Sequence, residues 1–75
     1  MQSQNIGKSK EDYLEAILMQ IDKNGACRVT DVANQLGFSK PSVSVALKKL
    51  EDDGYVEKCD WRVVLTEKGE IIARR

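Results

Sequence analysis

The chain has 75 residues, 12 of them basic and 12 acidic, with two cysteines and no histidine. That is room for one domain burying only about 60% of its unfolded surface, so a dimer or a second domain is expected to support it. Zero formal charge argues against a uniformly basic nucleic-acid binder, no apolar run is long enough to span a bilayer, and neither cysteine stands beside a base or helix start that would make it an enzyme nucleophile.

Residues 1–8 read as a flexible amino-terminal segment; Met1-Gln2-Ser3-Gln4-Asn5 lacks the basic and apolar regions of a secretory signal, which points to the cytoplasm. There both cysteines, Cys27 and Cys59, are expected as free thiols. Ser9-Lys10-Glu11-Asp12 opens the first helix with a cap and an acidic first turn. Tyr13, Leu14, Ile17, Leu18 and Ile21 form its core stripe. Asp12, Glu15 and Met19 fall on the opposite face at i, i+3, i+4 spacing. Two carboxylates and a thioether so stacked can bind a divalent transition metal, the carboxylates favouring harder ions; equally, they can serve the helix dipole and solubility. Ala16 and Met19 beside the acids suggest a face that is covered.

Thr30 is placed as the cap of a second helix through Leu36, with Val32, Ala33 and Leu36 on one face and Gly37 as the left-handed stop. Ser39 caps a third helix, with Pro41 in the first turn where its missing N–H costs little. Val43, Ala46, Leu47 and Leu50 carry that helix to about Asp53, and Gly54 ends it. Tyr55 to Lys58 and Arg62 to Leu65 read as two strands around Cys59-Asp60-Trp61, too short to stand without a helical core. Thr66 caps a last helix, still running at Arg75. The order is mostly α with a small β-hairpin: over 9–75, a helix-turn-helix followed by a wing. Its short turn leaves the third helix with one face free to enter a DNA major groove.

At about 100° per residue, the buried side of the third helix puts Pro41, Ser44, Val45 and Lys48 outward, with Lys40, Ser42 and Lys49 on the flanks. Small hydroxyl residues such as Ser42 and Ser44 let the backbone approach base edges and can bond base or phosphate, and the Val45 methyls suit a thymine methyl. Ser39 is accounted for by capping alone, and any single lysine by solubility. Together, Lys40, Lys48, Lys49, Lys58 and Arg62 gather positive charge on the third helix and wing. Glu11, Asp12, Glu15 and Asp22 gather negative charge on the first helix. Glu51-Asp52-Asp53 is assigned to the helix end farthest from a duplex. Trp61 is either a cover on the wing base or a groove-edge contact.

Glu11-Asp12-Tyr13-Leu14-Glu15-Ala16-Ile17, Arg28-Val29-Thr30-Asp31-Val32-Ala33, Pro41-Ser42-Val43-Ser44, Leu50-Glu51-Asp52-Asp53-Gly54-Tyr55-Val56 and Leu65-Thr66-Glu67-Lys68-Gly69 together resemble the amino-terminal domain of the diphtheria toxin repressor and manganese transport regulator family. The later segments also occur in multiple-antibiotic-resistance-type regulators; the opening Glu-Asp-Tyr-Leu-Glu discriminates. The resemblance implies a metal-activated repressor that binds double-stranded DNA as a homodimer under control of Mn²⁺ or Fe²⁺. Asp12 and Glu15 match first-helix metal ligands of manganese-type members, where iron-type members carry methionine in place of Asp12. Pro41, Ser42 and Ser44 match positions near DNA, while Val45 replaces a polar residue. The family's other ligands, on a following dimerisation domain, have no counterpart here, so the chain is expected to be one domain of a longer protein or a regulator without metal control. The DNA-facing set is thus Ser39, Lys40, Pro41, Ser42, Ser44, Val45, Lys48, Lys49, Lys58 and Arg62. The competing readings are a metal-independent winged-helix regulator and a winged-helix protein-interaction module, the latter favoured by neutral charge.

Overall fold

A computed structural model describes residues 10–74, in the order α1 (Lys10–Asn24), α2 (Val29–Leu36), α3 (Lys40–Asp52), β1 (Val56–Cys59), β2 (Arg62–Leu65) and α4 (Glu67–Ala73). The amino-terminal segment 1–8, the expected Ser9 cap and Arg75 lie outside the described residues. Four helices and a two-stranded antiparallel hairpin make the winged helix-turn-helix that the periodicities predicted.

The core is built from the expected stripes. Tyr13, Leu14 and Ile17 of α1 are buried with Val32 and Ala33 of α2, Val43, Leu47 and Leu50 of α3, and Val56 and Val63 of the hairpin. Leu18 and Ile21 are partly buried against them. One residue departs from the pattern: Ala16, expected on the carboxylate face, is only 1% exposed. The reason is that α1 packs against α4 and β2 as well as α2, so more than one of its faces is covered.

The start of α2 also differs. Thr30 does not cap it; the helix begins at Val29, Arg28 is the extended cap residue (φ −115°, ψ 162°), and Thr30 is exposed inside the first turn. Asp31 does the capping instead, its carboxylate accepting the Arg28 backbone N–H at 3.1 Å. Tertiary structure sets this register, because the Val63 N–H of β2 donates to the Cys27 carbonyl at 2.8 Å and so ties the chain just before the helix to the hairpin.

At α3 the local signals hold. The Ser39 hydroxyl accepts the Ser42 N–H, and the helix closes with Tyr55 N–H on the Leu50 carbonyl and Gly54 N–H on the Glu51 carbonyl, Gly54 taking the left-handed φ of 87° that glycine allows at no steric cost. The first of those bonds takes the Tyr55 N–H out of the ladder, although its carbonyl still accepts the Thr66 N–H, so β1 starts at Val56, one residue later than expected. The ladder runs from Val56↔Leu65 to Cys59↔Arg62, which shortens the tip to Asp60-Trp61, with Asp60 at φ 58°.

Thr66 caps α4 as expected, accepting the Gly69 N–H at 3.1 Å and donating to the Gly54 carbonyl at 2.7 Å. α4 lies so close to the α3–β1 junction that a Cβ on Gly69 would overlap the Tyr55 carbonyl oxygen. The helix ends at Ala73 with Arg74 as its cap, where it was expected to be still running. No helix among the described residues is long and apolar enough to cross a membrane.

Candidate nucleic-acid interface

The seat of α3 fixes what it shows to solvent. Val43, Leu47 and Leu50 lock one side into the core, leaving Lys40, Pro41, Ser42, Val45, Lys48 and Lys49 exposed and Ser44 half-buried. Val45 is 73% exposed, an apolar side chain held at the centre of a polar ridge. Ser39 and Ser42 are joined to each other: Ser39 Oγ–H donates to Ser42 Oγ at 3.0 Å, and the Ser42 N–H donates back to Ser39 Oγ at 3.4 Å.

The lysines are not equivalent. Lys48 Nζ lies 3.4 Å from Asp52 Oδ1 with both side chains exposed, a pair worth about 0–1 kcal/mol that a stronger anion can displace. Lys49 instead borders a shallow groove between α1 and α3 with Lys10, Tyr13, Ala46, Leu50 and Asp53, away from the crest of the ridge. Asp53 sits at the end of α3, where its carbonyl accepts from Lys68 Nζ at 3.1 Å. Lys58 and Arg62 are exposed on the hairpin.

Trp61 at the hairpin tip is 60% exposed, so it does not serve as a buried cover. The guanidiniums of Arg28 and Arg62 each stand 5.7 Å from its ring centroid. The sequence reasoning missed Arg28, and no local signal could have found it: Arg28 and Trp61 lie on different elements, brought together by the Cys27–Val63 hydrogen bond.

On α1, Glu15 and Met19 are exposed and Asp12 is half-buried. Among the described residues no group of three or more His, Cys, Asp or Glu gathers to hold a metal. An open groove of about 760 Å³ runs between α1 and α2, lined by Met19, Gln20, Asp22, Lys23, Asp31, Asn34 and Gln35; it includes neither Asp12 nor Glu15. The two cysteines are free. Burial, with the Asp31 carboxylate adding to it, pushes the Cys27 thiol up to about 12, which keeps it protonated and inert as a nucleophile.

The model of the family described as iron dependent repressor, N-terminal DNA binding domain, matches residues 5–62. Two relatives described as HTH-type transcriptional regulator MntR, from Bacillus velezensis and Bacillus subtilis, are each 41% identical over 68 residues, covering 89% of this chain and 48% of theirs. The chain thus spans about half the length of these curated relatives. Among solved structures, IdeR of T. acidophilum is similar with a TM-score of 0.84 and 25% identity over 89% of this chain and 32% of that one. The transcriptional regulator Tm0710 from Thermotoga maritima follows at 0.70 and 30%, over 93% and 52% of the two chains. A MarR family protein from Bacillus stearothermophilus, at 0.69 and 20% over 93% and 51%, shares the fold.

Proposed function

This chain belongs to the iron-dependent repressor family, and from that premise we propose that it is the DNA-binding part of a metal-responsive transcriptional repressor. In this reading α3 lies in the major groove of double-stranded DNA and the hairpin follows the backbone or the minor groove. The observation that carries it is the uncovered start of α3, where Pro41, Ser42 and Val45 are exposed on a helix whose other side is fixed in the core. Ser42 and Ser44 supply hydroxyls to bases or phosphates, and Val45 meets a thymine methyl. Lys40, Lys48, Lys49, Lys58 and Arg62 neutralise phosphates, Lys48 by exchanging its weak pair with Asp52 for a phosphate oxygen. Ser39 holds Ser42 in place.

The family is named for its metal, and Asp12 and Glu15 are the donors this chain offers. Two carboxylates at i, i+3 fit part of the oxygen-rich sphere of Mn²⁺ or Fe²⁺, with the remaining donors supplied from outside residues 10–74. A bound ion would neutralise the two carboxylates and favour an arrangement of the repressor that binds DNA. Homodimerisation through a further domain and residence in the cytoplasm complete the reading, and no enzymatic step is assigned to it.

Fluorescence anisotropy of a labelled mixed-sequence duplex, titrated across a salt series with and without Mn²⁺, tests the reading. The expected result is binding that weakens steeply with salt, with Lys48→Ala lowering the salt slope by about one. No binding at low salt, combined with salt-insensitive capture of a protein partner, would transfer the exposed Val45 and Trp61 to a protein-interaction surface.

A further inference from the structure

We propose that Arg28, at the start of α2, and Arg62, each held against the Trp61 indole, form a two-guanidinium clamp on the phosphate backbone of duplex DNA, with Trp61 as the positioning residue. The clamp rests on the DNA-binding reading and extends its surface to an element that reading leaves out.

Both guanidinium carbons stand 5.7 Å from the Trp61 ring centroid, within the range at which an aromatic face holds a cation. Two positive groups gathered on one ring repel each other, and the negative charge of a nearby phosphate backbone relieves that repulsion. The planar fork of each guanidinium matches the oxygens of a phosphate. Arg28 is already oriented: its ion pair with Asp31 runs through Nε at 3.6 Å, which leaves its η nitrogens for a second anion. That carboxylate is engaged further by the Arg28 backbone N–H at 3.1 Å. Among the described residues Arg62 stands in no ion pair, and Asp60 is the acid next to the ring in sequence. Held against a ring, each long side chain has less rotamer freedom left to lose on binding. The three residues reach one place because Val63 N–H bonds the Cys27 carbonyl, fixing the hairpin beside the α2 cap.

Trp61 is the chain's one tryptophan, so its fluorescence reports on the clamp directly. The test measures duplex anisotropy across a salt series on the unaltered chain and on Arg28→Ala, Arg62→Ala, Trp61→Ala and Trp61→Phe, and quenching of Trp61 emission by iodide and by neutral acrylamide on the unaltered chain and the two arginine variants. Local positive potential concentrates iodide, so each arginine variant is expected to lose iodide quenching while acrylamide quenching holds. Each also lowers the salt slope of duplex binding by about one. Bound duplex shields Trp61 from iodide. Trp61→Ala weakens binding about as much as loss of an arginine, and Trp61→Phe, which keeps an aromatic face, restores most of it. In a chain that binds duplex, unchanged slope and iodide quenching in Arg28→Ala overturn the clamp and leave the proposed function standing. No duplex binding by the unaltered chain overturns both.

Discussion

The outward face of α3 and the carboxylate face of α1 are each one side of a single helix, yet they differ in how far one helix can take them. A groove in DNA accepts a convex ridge, and a helix seated by Val43, Leu47 and Leu50 supplies one whole, with Pro41, Ser42, Val45 and Lys48 exposed along it. A metal ion needs donors that converge from several directions. Asp12 and Glu15 point from one convex surface and gain no third acid, cysteine or histidine among the described residues. The same i, i+3, i+4 spacing therefore suffices to present a whole convex ridge and only begins a coordination sphere.

The most severe way to break this contrast is to unseat α3. Leu47 is fully buried, and Leu47→Ala is expected to cost about 2–5 kcal/mol, a large share of the stability of so small a domain; urea unfolding followed by circular dichroism measures it. A loss well under 1 kcal/mol would mean that the ridge does not depend on the core beneath it. Next comes Gly69→Ala, whose new methyl meets the Tyr55 carbonyl oxygen. Such overpacking costs about 1–3 kcal/mol, and a neutral result would show that α4 shifts freely against the α3–β1 junction.

Ser39→Ala acts on the ridge alone. Removing the cap costs about 1 kcal/mol and frees Ser42 from its partner, so duplex affinity is expected to fall along with the melting temperature. Stability lost with affinity intact would confine Ser39 to capping. The smallest effect belongs to the other face: Glu15→Gln, at an exposed position, is expected to stay within about 0.5 kcal/mol and to leave duplex binding without metal unchanged. A fall in that binding would place the α1 face inside the DNA interface and erase the contrast.

Much of the α3 ridge was legible because its signals are local. Ser39, Pro41 and Gly54 bracket α3 through hydrogen bonds that span a few residues, and the apolar period fixes which side is buried. Thr66 was legible for the same reason. Thr30 misled because Asp31, one position later in the same short segment, competes for the start of the helix and captures the Arg28 N–H. The expected strand at Tyr55 failed because the closing bond of α3 to the Leu50 carbonyl had already claimed its N–H.

The sequence by itself determined the number, kind and order of the elements, most of the buried stripe of the first three helices and the outward face of α3, since all of these follow from contacts within a turn or two of helix. Only the tertiary structure decided that Ala16 is core and that Arg28 meets Trp61. Each of those outcomes depends on packing or hydrogen bonds between segments far apart along the chain, and no periodicity within either segment specifies which distant surface it will face.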